Sequence, residues 1–198
     1  MVKVFVEGGG VSSSGKIRCQ NAFNSLFQKC NLKVNIVAKG SRNEVFKWFR
    51  NTLKQQKDER FLAMLIDSED PVNDLEKTWE HLKRRDGWDK PDKASDEQVL
   101  FMTTCMETWI MADRETMQTH YGCCLQSTAL LSQNNLEQRP HKEVINSLES
   151  ASQNCSNTYS KGKRSFEILA KLKPEILIQY LPSFVRIYRI LSEKLTSS

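Results

Sequence analysis

Asp67, Glu69 and Asp70 place three carboxylates within four positions, at the end of the stretch FLAMLIDSEDP running from Phe61 to Pro71. Such a cluster repels itself unless a cation neutralises it. Oxygen-only donors select a hard divalent ion, most often Mg²⁺. Two further acids occupy comparable positions. Glu7 follows the apolar run Val2 to Val6, and Glu107 follows the run QVLFMTTCM. If the three runs are parallel strands, Glu7, Asp67 and Glu107 meet along one edge, where open α/β sheets bind their ligands.

The elements that would position these acids follow from apolar spacing. Phe61 to Ile66 is an unbroken apolar run suited to a strand buried on both faces. Val2 to Val6 predicts a first strand and Leu32 to Ala38 a second, with a helix over Arg18 to Cys30 between them. Ser41 with Glu44 three residues later forms a capping-box pattern, opening a helix to about Lys57. A helix is expected over Val72 to Arg85, then a polar loop, then a fourth strand over Gln98 to Met106. This β-α-β-α-β alternation predicts a parallel α/β sheet flanked by helices, of Rossmann-like type. Residues 114–138 are weakly patterned, and helices are expected over His141 to Asn154, Ser165 to Leu172 and Pro182 to Leu195. Gly8 to Gly10 reads as a turn permitting close backbone approach. Ser12 to Lys16 reads as a flexible polar loop, not a P-loop, because no GK[ST] follows at the required distance. The division expected is an α/β catalytic domain over 1–138 and a helical, basic extension over 139–198, packed on it.

The chain has 198 residues and a formal charge of +5. Residues 1–138 carry 19 basic and 19 acidic side chains, whereas 139–198 carry 10 and 5, so the excess lies entirely in the C-terminal part. A basic extension beside an acidic cluster suits a polyanionic substrate. No apolar run is long enough to span a membrane, and the beginning MVKVFVEGGG lacks signal-peptide character, so a cytoplasmic location without a membrane partner is expected. The six cysteines form no CxxC pair and are expected to be free thiols. Trp79 and Trp109 read as core anchors, His81 as a surface residue.

VEGGG, LIDSEDP, the Trp79 to Trp88 segment, METWIMAD and YSKGKR together resemble the TOPRIM fold over roughly residues 1–113. More closely, they resemble a bacterial TOPRIM-like family encoded beside ABC-type ATPases and similar to abortive-infection and overcoming-lysogenization-defect phage-defence effectors. The resemblance implies that Glu7 is the general acid/base or a metal ligand. It implies that Asp67 and Glu69 form the D-x-D pair holding Mg²⁺, with Mn²⁺ as a substitute. The second position is Glu here, one carbon longer than the family's Asp. Asp70 becomes a spare ligand, and Glu107 with Asp113 completes a second metal site. Phosphodiester cleavage develops charge that Mg²⁺ stabilises, and a nearby cation assists. Lys161 is the catalytic candidate for that role, with Lys163 and Arg164 beside it. Lys16 and Arg18 are candidates for phosphate contacts.

The expected function is a Mg²⁺-dependent nuclease acting on DNA or RNA, tRNA included, as the effector of an ATPase-coupled defence system. An ABC-type ATPase is the expected protein partner, and the C-terminal helices offer a homodimer contact. The competing readings are a non-catalytic interaction subunit of the ATPase complex and phosphoryl transfer on a small nucleotide.

Overall fold

The strand predicted at Phe61 to Ile66 forms as β3, Leu62–Asp67. Its side chains divide between two cores, as a strand covered on both faces requires. Ala63 and Leu65 join one cluster, and Leu62, Met64 and Ile66 join the other. This is seen in a computed structural model describing residues 2–56 and 60–196. β1, Lys3–Glu7, lies beside β3 with Lys3 opposite Leu62 and Val6 opposite Leu65. β2, Asn35–Gly40, flanks β1, and β4, Val99–Met102, flanks β3. The sheet order is β2-β1-β3-β4 and every pairing is parallel. The carboxyl ends of all four strands therefore share an edge.

The connecting helices are α1 (Ser13–Lys29), α2 (Arg42–Gln55) and α3 (Thr78–Asp86). Ser41 caps α2 as its spacing with Glu44 predicts, its hydroxyl accepting from the Glu44 N–H at 3.4 Å. The expected end of that helix at Lys57 lies outside the described residues. α1 begins five residues earlier than expected. Ser12 is not part of a flexible loop but the N-cap, accepting from Gly15 N–H at 3.1 Å. α3 starts at Thr78, not Val72, because Asp96 supplies an acceptor for Trp79 N–H at 3.0 Å.

The largest correction falls on the fourth strand. β4 ends at Met102, and α4 occupies Met106–Ala112. Glu107 therefore stands in the first turn of a helix, and Cys105 precedes that helix rather than lying in a strand. The run QVLFMTTCMETWIMA is apolar throughout, because both strand and helix are buried, so it carries no period to separate them. α5 (Arg114–Tyr121), α6 (His141–Ser152), α7 (Lys163–Leu169), α8 (Pro174–Tyr180) and α9 (Pro182–Thr196) complete the chain. Pro174 opens α8 at a position where its missing N–H costs nothing.

The C-terminal helices share the core of the sheet. Trp109 of α4 meets Phe23 of α1 edge-on at 6.2 Å and Phe184 of α9 at 5.0 Å. Such pairs add about 0.5–1.5 kcal/mol each beyond burial. Trp79 is also buried, as expected. Arg186 of α9 donates to the Val99 and Asp96 carbonyls, both at 3.0 Å, and so ties α9 to β4. Contrary to the free-thiol expectation, Cys124 and Cys155 form a disulfide. The turn after α5 and the end of α6 bring their Cα atoms to 5.3 Å, and Gln126 N–H donates to the Ala151 carbonyl beside them at 2.8 Å.

Buried Glu137 accepts from the Ser183 N–H at 3.1 and 3.2 Å and from its hydroxyl, holding the first turn of α9. Burial pushes this carboxyl up to about 7, against the opposing pull of the Ser183 donors. A carboxyl raised on folding contributes stability that is complete below its ordinary pKa and is lost as pH rises through about 7. Thermal unfolding should therefore show declining stability between about pH 5 and pH 8, by roughly 3 kcal/mol from this group. Glu137→Gln, which keeps an oxygen acceptor, should remove most of that decline.

Candidate metal centre

Strand register delivers the first two acids. Glu7 is the last residue of β1 and Asp67 the last of β3, on neighbouring parallel strands. Glu69 follows in a turn at φ +67°, a conformation unusual for a residue with a side chain. The turn is held by Ser68 N–H donating to the Met102 carbonyl at 3.1 Å and Glu69 N–H to the Thr104 carbonyl at 2.7 Å. One carboxylate oxygen from each of Glu7, Asp67 and Glu69 lies within 4.8 Å of the others.

Asp67 is fastened on three sides. Its N–H donates to Glu7 Oε2 at 3.2 Å, and its Oδ1 accepts from Met106 N–H at 2.8 Å, at the start of α4. Its carbonyl accepts from the Arg42 guanidinium, whose Nη2 donates to Asp86 at 2.7 Å. Burial raises the pKa of both acids. For Glu7, Arg42 and the Asp67 N–H oppose the rise while Glu69 adds to it. For Asp67, the charges of Glu7 and Glu107 add to burial and push the carboxyl well above the usual range.

A cavity of about 420 Å³ opens over these groups, lined in part by Glu7, Gly8 to Gly10, Arg18, Asp67, Glu107, Lys161 and Lys163. Glu107 is 2% exposed. Its Oε1 accepts from the Tyr159 hydroxyl at 2.5 Å, and its Oε2 has no hydrogen-bond donor among the described residues. Lys161 Nζ lies 3.9 Å from that oxygen. Burial works to lower the Lys161 ammonium, but Glu107, Asp67, Cys105 and Glu69 outweigh it and raise the pKa. Lys161 is therefore a fixed positive charge facing the acids. Hard oxygen donors, a self-repelling pair of partly buried carboxyls and an orphaned buried oxygen fit a divalent cation. Glu7, Asp67 and Glu69 would hold it, with Glu107 alongside.

The other expected ligands lie elsewhere. Asp70 is exposed and pairs with Arg85 at 3.2 Å. Asp113 is fully buried as the N-cap of α5, where its oxygens accept from Thr116 N–H and hydroxyl and from Lys173 N–H. Neither lines the cavity. Among the expected cations, Arg18 and Lys163 line it, whereas Lys16 and Arg164 do not. Lys163 also approaches Glu167 at 3.9 Å.

Four contributing residues escape sequence reading. Arg42, directly after the Ser41 cap, turns inward because Asp86 and the Asp67 carbonyl face it. Tyr159 sits two residues before Lys161, a spacing that places both against Glu107. His81 is 4% exposed, not a surface residue. Its Nε2 lies 3.1 Å from the Ser68 carbonyl, between the two acids of the turn, and its ring meets Phe101 edge-on. The charged neighbours of His81 hide this, since only one face of α3 turns inward. His141 Nδ1 stands 3.6 Å from Glu69.

The glycine loop forms the opposite wall. A Cβ on Gly9 would lie 2.6 Å from the Lys16 backbone, and one on Gly15 would lie 2.2 Å from the Gly9 carbonyl. The loop and the first turn of α1 thus touch backbone to backbone.

Fold and site together define an α/β protein with a carboxylate-lined cavity at the carboxyl edge of a parallel sheet. Residues 6–192 match the family described as a domain of unknown function (DUF4276), and the chain belongs to that family. No curated protein and no solved structure matches it.

Arg42→Ala should leave Asp86 with Arg85 as its remaining ion-pair partner and release the Asp67 carbonyl. A loss of about 1–3 kcal/mol is expected in urea unfolding, as for a buried acceptor left without its donor. Gly15→Ala should be destabilising as well, because its Cβ would lie 2.2 Å from the Gly9 carbonyl.

Proposed function

We propose that this protein is a metal-dependent nuclease that hydrolyses phosphodiester bonds in nucleic acid, with Mg²⁺ the working ion and Mn²⁺ a substitute. The observation carrying this reading is the convergence of Glu7, Asp67 and Glu69 oxygens within 4.8 Å, beside a cavity lined by Glu7 and Asp67 together with Lys161, Lys163 and Arg18. Acids alone describe a cation site. Acids facing cations across a cavity suit a bound ion and an anionic substrate together.

When bound, the ion supplies charge stabilisation at the phosphoryl oxygens and a lowered pKa for water. The chain's own groups supply the rest. Lys161, held by Glu107 and Asp67, offers a positive charge to the phosphoryl group as negative charge accumulates there. Glu7, whose pKa is raised by burial, is suited to accept a proton from an attacking water. Tyr159, whose hydroxyl is pushed far above its ordinary pKa by burial and by Glu107, stays protonated and fixes the Glu107 carboxylate. Arg18 and Lys163 bind flanking phosphates. The resemblance in the five motifs extends the proposal to an effector acting beside an ABC-type ATPase.

A non-catalytic subunit is the second reading. Its support is the apolar surface of Ile178, Val185 and Tyr188 on α8 and α9, each about two-fifths exposed. A partner protein or a second copy would cover it.

Labelled DNA and RNA, single- and double-stranded, should be cleaved with Mg²⁺ or Mn²⁺ and left intact in EDTA, by the chain alone or with its ATPase. Glu7→Gln and Asp67→Asn should each lower the rate by about a hundredfold or more. Mn²⁺ should raise the melting temperature of the wild type and not of Asp67→Asn. Lys161→Ala should slow cleavage while keeping the Mn²⁺ response. Cleavage that survives both acid substitutions overturns the nuclease reading.

A further inference from the structure

A second cationic feature lies outside the cavity, on the α2 face of the sheet at its β2 edge. Lys3 of β1 and Lys39 of β2 both extend over the same ring. Their ammonium groups lie 5.0 and 5.3 Å from the centroid of Phe5. Two like charges brought over one phenyl ring repel each other, and neither has an ion-pair partner among the described residues. The acid nearest to them in influence, Glu44, is turned to Lys47 at 3.7 Å. Lys16 adds a third positive charge, its stem passing beside Gly40 at the end of β2. Burial, then Lys3 and Lys16, depress the Lys39 ammonium, while Glu44 opposes them. The repulsion among the lysines would be offset by an anion between them.

An aromatic surface adjoins this charge. Lys39 Nζ lies 3.5 Å from the centroid of Trp48, and Trp48 is nonetheless 46% exposed. A large indole left on the surface beside unneutralised cations matches the pairing by which single-stranded nucleic acids are held. Lysines take the phosphates and an aromatic ring takes an unpaired base. Duplex DNA keeps its bases stacked inside and offers nothing to such a ring. Gly40, next to Lys39, lines the cavity over the acids, so strand β2 connects the two places.

We propose that Lys3, Lys39 and Trp48 form an accessory subsite for single-stranded nucleic acid, which leads the strand along β2 to the cavity. A backbone phosphate sits between Lys3 and Lys39, and a neighbouring base stacks on Trp48. Lys39 exchanges its cation–π contact for a charge-assisted one as it turns to the phosphate, which frees indole surface for the base. The substrate class of the proposed nuclease is thereby a single strand or a duplex with an unpaired end. This rests on the nucleic-acid reading above, although it concerns binding and requires neither metal nor turnover.

The test is fluorescence anisotropy in EDTA with 12-nucleotide single-stranded DNA, single-stranded RNA and a blunt DNA duplex. Trp48→Ala should weaken single-strand binding by at least about fivefold, with Trp48→Phe close to the wild type and duplex binding unchanged. Lys3→Gln with Lys39→Gln should weaken single-strand binding about tenfold and make the slope of log K against log salt shallower by about 0.7, as for one phosphate released. The stronger of the DNA and RNA arms names the substrate. Single-strand affinity unaffected by Trp48→Ala overturns the proposal. So does an equal loss on the duplex, or a lysine effect matched by inorganic polyphosphate without any Trp48 effect. A failed subsite leaves metal-dependent cleavage intact. A failed nuclease reading shows instead as normal binding with no cleavage in Mg²⁺.

Discussion

All three polar groups of the Asp67 backbone and side chain are tied to different elements. The N–H is held by Glu7 of β1, the carboxylate by the first turn of α4, and the carbonyl by Arg42 at the start of α2. The sheet edge, the helix carrying Glu107 and the helix after β2 are therefore registered against one residue. This arrangement costs electrostatic energy, because it gathers negative charge where water is scarce. The fold offsets that cost in two ways. Arg42 brings a guanidinium behind the strand ends, paired to Asp86, and Lys161 brings an ammonium across the cavity. The cation the acids would hold is the remaining compensation.

The C-terminal helices serve this centre although they contribute no acid to it. α7 packs on α1 and α4 and follows directly on Lys161, while Tyr159 pins Glu107. Arg186 and Trp109 fix α9 and α4 to the sheet. The segment that supplies positive charge to the cavity is thus anchored by the same core that positions the negative charge. What reads in the sequence as a basic extension is one wall of the site.

Much of this was legible in the residues. Apolar runs located β1 and β3, the Ser41 and Glu44 spacing located α2, and acids after two strands located the carboxylates that converge beside the cavity. Glu107 was picked out for a reason that does not hold, since it lies within α4 and not after a strand. It reaches the cavity because β4 is short and the chain turns at once into a helix. Asp113 shows the opposite failure. Its carboxylate looks like a ligand in sequence, but an N-cap needs the same chemistry. His81, Arg42 and the Cys124–Cys155 pair depend on contacts between distant segments, for which local spacing carries no signal.

The glycine loop has a consequence for how such a site can diversify. Gly9, Gly15 and Gly40 meet neighbouring backbone so closely that no side chain fits at any of them. That wall of the cavity presents main-chain groups whatever else changes in the chain, and its shape is shut to adjustment by substitution. Discrimination among ligands is therefore left to the side chains around it, Arg18 of α1 and the separate segment of Lys161, Gly162 and Lys163. A protein built this way would keep one half of its recognition surface constant and vary the other.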